Sequence, residues 1–314
     1  MKKTEILTIL GSPHNQNSNT RALVDDFVEE IALAGLSLEH RVVSLGEVEV
    51  KPCIGCWSCT RGKPCPLSSQ DDLDQIKVAM IDCDMLIMAS PVYTNQITAQ
   101  MKALFDRLFT WCHIFPLLGK HSLSACTTGN DGIRPVCNFL QMMLATYGTF
   151  SFGHISSKGG FTPGYFPFRE KARKKNRKLA RKVADSINGG KHLPVSPLQR
   201  KMFRVMKEKM GGCNTFRYLA DIDSKSDAAP SWLKLKMMEK ILRKISLGEE
   251  DIERISRMME FEYNWWADRN WFRARSFGQL ASTPVPPGFD VKQRLLEHNL
   301  PELDGCGCGG ETDV

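Results

Sequence analysis

No run in this chain of 314 residues approaches the ~20 apolar residues that a bilayer-crossing helix needs, so no membrane segment is expected. The opening stretch, "MKKTEILTIL", follows two lysines with only about six apolar-leaning residues before the polar "GSPHNQNSNT", too short for a signal peptide. A cytoplasmic location is the resulting expectation. Hydrolytic signatures are missing as well: there is no H-E-x-x-H, no Ser-His-Asp order and no paired-carboxylate pattern, and none of the seven histidines lies in a metal or triad motif. No internal repeat is apparent, and low complexity is confined to "GCGCGG" at 305–310.

Cysteine, by contrast, is plentiful. Eleven cysteines in a reducing compartment are poorly explained by disulfides, and where they cluster they suggest metal. Hydrophobic residues make up 42% of the chain, enough for one α/β domain with an appendage. The formal charge of +7 is unevenly spread: "REKARKKNRKLARK", 169–182, holds nine basic residues and one acidic one. Interrupted by Ala172, Leu179, Ala180, Val183, Ala184 and Ile187, it reads as the solvated basic face of an amphipathic helix. The same charges could steer an acidic redox partner, whereas nucleic-acid binding lacks aromatic interleaving or a helix-turn-helix pattern.

Short apolar runs at 5–10, 39–45, 84–90, 121–127 and 150–156 read as strands. Helical periodicity falls between them. Leu23, Val24, Phe27, Val28 and Ile31 are spaced for a helix over 19–34, "SQDD" (69–72) is a capping-box pattern ahead of "LDQIKVAMI", and 97–111, 134–147 and 168–188 complete the set. Strands alternating with helices predict a doubly wound, five-stranded parallel sheet, with the ligand beyond the carboxyl ends of the strands. From about residue 190 the texture changes to the breaker-rich "GGKHLPVSP", amphipathic stretches near 198–211, 231–246 and 249–263, and the aromatic "FEYNWWADRNWF". Residues 191–314 therefore read as a mostly helical extension ending in a Cys-Gly tail, whose Cys306 and Cys308 are expected to be disordered and without a role. Trp265, Trp266 and Trp271 are expected to pack this extension against the first domain.

Three loops fall at the carboxyl edge. "GSPHNQNSNT" (11–20) lacks the P-loop lysine and the dinucleotide-fold glycines, but its backbone N–H groups at a helix start, with Ser12, Ser18, Asn19 and Thr20, suit a phosphate; a polar capping loop is the plain alternative. In "SPVYTNQITAQMKALFDRLF" (90–109), Pro91 fixes the chain's exit, Tyr93 offers a flat face, and Thr94, Asn95 and Gln96 offer hydrogen bonds, before a helix that buries Met101, Leu104, Phe105 and Leu108. Gly129 and Gly132 of "TTGNDG" (127–132) let backbone amides approach a ring edge, although an ordinary turn would use them equally.

A fourth connection, "KPCIGCWSCTRGKPCP" (51–66), spaces Cys53, Cys56, Cys59 and Cys65 as C-x2-C-x2-C-x5-C. Thiolates at x2 intervals let one short loop wrap an iron-sulfur cluster; zinc, redox thiols and reduced structural cysteines are the alternatives, although zinc more often uses two C-x2-C knuckles set well apart. Trp57 would shield such a centre from water or simply anchor the loop. Cys83, Cys112, Cys126 and Cys137 read as small buried hydrophobes, and Cys213 is uninformative.

In this order and at these separations, "ILGSPHNQNSNT", "ASPVYTNQITAQMKALFDRL" and "TTGNDG" resemble the flavin-mononucleotide loops of the flavodoxin-like NAD(P)H-dependent FMN reductase family, and the cysteine segment resembles its iron-sulfur flavoprotein branch. The resemblance covers about residues 4–188 and implies a flavodoxin-like FMN-binding domain over 1–190 with a cluster loop at 53–65. It implies that Ser12, Asn17, Ser18, Asn19 and Thr20 receive the FMN phosphate, and that Pro91, Val92, Tyr93, Thr94 and Asn95 border the ribityl chain and ring. Thr127, Thr128 and Gly129 would border the ring, and Cys53, Cys56, Cys59 and Cys65 would hold a [4Fe-4S] cluster. His14 stands where relatives often have arginine. The expected activity is oxidoreduction, passing electrons between a ferredoxin-like carrier or NAD(P)H and a small acceptor, in a homo-oligomer (dimer or tetramer). A cluster-free NAD(P)H-dependent FMN or quinone reductase and a zinc-stabilised binding module are the alternatives.

Overall fold

In the computed structural model of the chain, residues 3–61, 63–190, 193–207, 260–269, 271 and 274–296 are described. Five strands, β1 (Thr4–Leu10), β2 (Leu38–Ser44), β3 (Met85–Pro91), β4 (His121–Thr128) and β5 (Phe150–Lys158), form one sheet in the order β2-β1-β3-β4-β5. Every neighbouring pair is parallel, with Ile9 opposite Val43 on one side and Met88 on the other. This is the flavodoxin-like doubly wound order, in which winding reverses between β1 and β3. The central β3 is buried from Met85 to Ser90, as expected of a strand covered on both faces.

Alternation along the strands creates two interiors. Ile6 and Leu10 of β1 and Met85 and Ile87 of β3 face α1 (Asn19–Leu33) and α6 (Arg169–Asn188). Leu7, Ile9, Leu86 and Met88 face α2 (Leu73–Asp82), α3 (Ala99–Arg107) and α5 (Ile133–Thr146). Helix α1 is set by Leu23, Val24, Phe27 and Ile31 at 3.6-residue spacing and by Ser18, whose Oγ accepts from the Arg21 N–H at 3.3 Å. Helix α3 starts later than its apolar pattern, because Thr98 Oγ accepts from the Met101 N–H at 3.3 Å and so caps it. A separate turn of helix, α4 (Trp111–Ile114), ends at Phe115 with φ 44°.

The capping box at 69–72 does not form. Ser69 lies in a 3-10 turn, Ser68–Gln70, and the helix begins only at Leu73. Both acids are engaged with the other end of the cysteine loop: Asp72 Oδ2 accepts from Glu49 N at 2.8 Å and Asp71 Oδ2 from Lys51 N at 3.0 Å. Closing the loop's neck takes up Asp72 and one oxygen of Asp71, and only the other Asp71 oxygen, accepting from Leu73 N–H at 3.3 Å, serves the start of the helix.

Helix α6 is the basic segment, and part of its charge is consumed internally. Arg169 reaches Asp26 with two hydrogen bonds of 2.8 and 2.7 Å, Arg173 and Arg177 reach Glu30 at 2.7 and 2.8 Å, and Arg173 also meets Glu29 at 3.0 Å. Hydrogen bonds from Arg177 and Arg173 hold the Glu30 carboxyl down at about 2 against the cost of its burial.

The C-terminal part is helical at 197–207, Glu260–Asp268, Phe277–Ala281 and Val291–Leu296. Trp265, Trp266 and Trp271 are buried, as expected, against residues that precede them in the sheet-bearing part of the chain; Trp266 Nε1 donates to His113 O at 2.8 Å, and Phe115 lies 6.0 and 6.1 Å from the rings of Trp266 and Trp271. These residues continue the same apolar cluster as Leu7 and Ile9. The expected stretches 231–246 and, up to its last turn, 249–263, with Cys213, Cys306 and Cys308, lie outside the described residues. Among the described residues no helix is long and apolar enough to cross a membrane. Cys83, Cys126 and Cys137 are buried, but Cys112 is half-exposed, with its thiol donating to Phe109 O at 3.0 Å.

Candidate functional site

Parallel strands send all their carboxyl ends to one edge, and there the loops after β1, β3, β4 and β5 enclose a cleft of about 480 Å³. After β1, Ser12, His14, Ser18, Asn19 and Thr20 line it. Ser12 Oγ accepts from the His14 N–H at 3.3 Å, and Ser18 closes the start of α1, so the loop wraps onto the helix's amino end. No acidic residue occupies the first turn of α1, and among the described residues the cleft lining has no lysine or arginine. Attraction for an anion here comes from the helix N-terminus and the hydroxyls. Arg21 does not line the cleft: its Nε donates to both Asp25 carboxylate oxygens at 2.9 and 2.8 Å, and its Nη1 to Asn15 Oδ1 at 3.3 Å.

The turn after β3 is held in an uncommon shape. Tyr93 and Gln96 exchange both backbone hydrogen bonds at 2.9 Å, with Thr94 at φ 49° and Asn95 at φ 60° between them. Two consecutive left-handed residues match the φ pattern of a type I′ turn; for non-glycine residues this costs ~1–3 kcal/mol each, strain that accumulates where a loop shape has a task. The turn leaves Tyr93 43% exposed at the rim. It is tied to its neighbours by Thr98, whose Oγ donates to Gly11 O at 2.7 Å, and by Val92 N–H to Thr127 O at 2.9 Å. A Cβ on Gly132 would fall 2.6 Å from Val92 Cγ1, so only glycine lets the third loop lie this close.

Thr127, Thr128 and Gly129 complete the wall, with the Thr20 and Thr127 hydroxyls 2.6 Å apart. All the residues assigned to the cofactor by resemblance therefore meet in one cleft except Asn17, which is exposed on the 3-10 turn Asn15–Asn17, outside the lining. Sequence reasoning missed Asn130, Asp131 and the whole loop after β5. There Gly159, Gly160, Phe161, Thr162 and Pro163 line the cleft, and Asn19 Nδ2 donates to the carbonyls of Gly160, Thr162 and Tyr165 at 3.4, 3.3 and 3.0 Å. The signal was present in "KGGFTPG", a glycine-rich stretch directly following a strand.

The cysteine loop leaves β2 at the same edge but lines no part of this cleft. Its neck is fixed by a buried ion pair, Arg107 Nη1 to Asp71 Oδ2 at 2.5 Å, and Arg107 also donates to Lys51 O at 3.0 Å. Left-handed turns at Gly55 (φ 67°) and Trp57 (φ 60°) fold the chain between the first thiols. Trp57 meets the Phe109 ring edge-on at 5.4 Å, and the turn Ser58–Arg61 packs on the helix Glu260–Asp268. No disulfide joins Cys53, Cys56, Cys59 or Cys65. Burial, with the neighbouring thiol charges of Cys53, Cys65 and Cys56, pushes the Cys59 thiol up to about 11. Cys59 thus feels the charge of each of the other three thiols once they ionise, a repulsion that a bound cation would relieve, and four thiolates are the donor set of a thiolate-ligated centre. Among the described residues, however, no three such side chains are gathered tightly enough to hold a metal ion.

Sheet order, cleft and loops define a flavodoxin-like protein with a cleft at its carboxyl edge. Residues 4–158 match the family model NADPH-dependent FMN reductase. The chain is similar to an iron-sulfur flavoprotein of Archaeoglobus fulgidus, 28% identical over 205 residues, covering 63% of this chain and 89% of that protein. It is similar to another of Methanosarcina thermophila, 30% identical over 161 residues (50% and 82%), and to one of Clostridioides difficile, 25% identical over 190 residues (60% and 83%). The chain belongs to the iron-sulfur flavoprotein branch of the NADPH-dependent FMN reductase family and is a flavin-dependent oxidoreductase.

Proposed function

We propose that the chain is a cytoplasmic electron-transfer flavoprotein that binds FMN in the carboxyl-edge cleft and a [4Fe-4S] cluster on Cys53, Cys56, Cys59 and Cys65. It passes electrons between a ferredoxin-like carrier or NAD(P)H and a small acceptor. The observation that carries the reading is convergence: three loops far apart in sequence supply hydroxyls, a strained aromatic turn and a close-packed glycine backbone to one cleft. In this reading Ser12, Ser18 and Thr20, with the amino end of α1, bind the phosphate. The Pro91–Asn95 turn and Thr127–Gly129 orient the ring, and Tyr93 keeps water from one of its faces. Bound FMN would supply hydride or single-electron chemistry and the cluster one-electron transfer. Electron exchange between the two centres would take place within a subunit or across a homo-oligomer contact.

Quantifying FMN, iron and sulfide in anaerobically purified protein tests both sites together. Cys56→Ala is expected to abolish iron and sulfide while FMN stays bound; unchanged iron would refute the ligand set. Tyr93→Ala is expected to weaken FMN retention, and wild-type retention would remove Tyr93 from the site. A second reading, a cluster-free reductase of the same fold, draws support from the absence of a gathered metal-binding group among the described residues; flavin without iron would establish it.

A further inference from the structure

The charges of α6 are sorted onto two faces. Arg169, Arg173 and Arg177, spaced four apart, lie along α1 and are neutralised by its Asp26, Glu29 and Glu30. Lys171, Lys174, Lys175, Lys178, Arg181 and Lys182 follow the i, i+3, i+4, i+7 rhythm of the opposite face, are all exposed, and form no ion pair among the described residues. At 1.5 Å per residue they make a cationic stripe about 16 Å long. Of the helix's own acids, Glu170 stands one turn before Lys174 and Asp185 one turn after Arg181, so they flank the stripe's two ends and leave its middle, Lys174 to Lys178, without an acid on that face. Lys158 and His154 of the adjacent β5 add no negative charge, and burial, with a smaller push from Lys175, holds the His154 imidazole low, towards its neutral form.

We propose that this stripe is the docking face for a small acidic electron-carrier protein, a deduction that rests on the electron-transfer reading above. Position supports that occupant. Because β5 runs to the carboxyl edge, α6 starts at the cleft: the lining residues Gly159–Pro163 lead within a few residues to Arg169. A carrier seated on the first turns of the stripe lies beside the cleft mouth, where Phe161 and Tyr165 are 87% and 61% exposed. A second copy of the chain is disfavoured, since a two-fold contact here would set lysines against lysines. Nucleic acid and anionic membrane are disfavoured because no aromatic or long apolar side chain is interleaved among the stripe's cations to stack or insert. In each productive encounter the reduced carrier would give up one electron, becoming oxidised, and bound FMN would take up that electron.

Charge complementarity acts chiefly on encounter, raising association rates ~10- to 1,000-fold at low salt. The probe is a reduced acidic plant-type ferredoxin mixed anaerobically with the FMN-loaded protein, with labelled ferredoxin followed by fluorescence anisotropy in parallel. The wild-type transfer rate is expected to fall at least about tenfold as salt rises from about 20 to 200 mM, across a range where the Debye length shrinks below the stripe's length. The triple variant Lys174→Glu, Lys175→Glu, Lys178→Glu is expected to start at least about tenfold slower and to lose that salt dependence, with FMN content and dithionite reduction unchanged. A variant with the wild-type rate and salt dependence overturns the assignment. So does tighter binding of a DNA duplex or of phosphatidylserine vesicles than of ferredoxin at about 150 mM salt, if the same variant abolishes it. Protein that holds no flavin would defeat the electron-transfer reading separately, because the anisotropy arm still reports whether ferredoxin binds the stripe.

Discussion

Replacing Arg107 with methionine should loosen the neck of the cysteine loop. In the native chain the side chains of Arg107 and Asp71 are 1% and 0% exposed, and one guanidinium bridges both ends of the loop through Asp71 and the Lys51 carbonyl. Methionine leaves the Asp71 carboxylate buried with two backbone donors, Lys51 N–H at 3.0 Å and Leu73 N–H at 3.3 Å. Breaking one side of a buried pair costs ~3–5 kcal/mol, and the surviving donors place this case near the lower end. At roughly 2–4 °C per kcal/mol for a domain of this size, about 3 kcal/mol lowers Tm by about 6–12 °C. Urea unfolding of the FMN-free protein, followed by circular dichroism, measures the loss, and labelling of the four loop thiols with a disulfide reagent should quicken. Adding Asp71→Leu removes the orphaned charge, so the double variant should recover about 0.5–3 kcal/mol relative to additivity. Additive effects within about 0.5 kcal/mol, or a single-variant loss no larger than that of a surface substitution, would refute the clamp.

Two further outcomes are expected. Burial works against the His113 charge, but hydrogen bonds with Cys112 and Glu262, whose Oε1 lies 2.5 Å from Nδ1, more than offset it and raise the imidazole to about 9. A raised folded-state value means that the stabilisation is complete below about 6.5 and is lost as pH passes through about 9. Stability of the docked extension, followed by tryptophan fluorescence in urea, should decline across that window, and Glu262→Gln should flatten the decline; a native profile in that variant would break the assignment. Gly129→Ala sets a Cβ 2.6 Å from the Phe161 ring, which is exposed enough to swing aside. Stability should therefore change by less than about 1 kcal/mol while FMN affinity falls several-fold, and unchanged affinity would place this contact away from the cofactor.

Where one force dominated, the sequence was transparent. The apolar runs of β1 and β3 had no competing pattern, and the observed strands fall within about two residues of those expected. The three cleft loops were legible because each joins a strand to a helix and carries small hydroxyl or glycine residues. The loop after β5 was overlooked because "FTPGYFPF" reads as ordinary turn punctuation; its role depends on Asn19, far away in sequence, reaching three of its carbonyls. "SQDD" misled for a related reason, since local capping lost to longer-range hydrogen bonds with Glu49 and Lys51. The basic segment was read correctly as amphipathic, but its division into neutralised and unneutralised faces required the acids of α1 opposite it.

Trp266, Trp271 and Phe277 are buried in the same apolar interior that Phe115 and Phe150 occupy. The C-terminal helices are consequently roofing for the sheet rather than luggage attached to it. A chain cut in the breaker-rich segment near residue 190 would present those rings to water, so the severed halves should precipitate apart yet remain soluble when produced together.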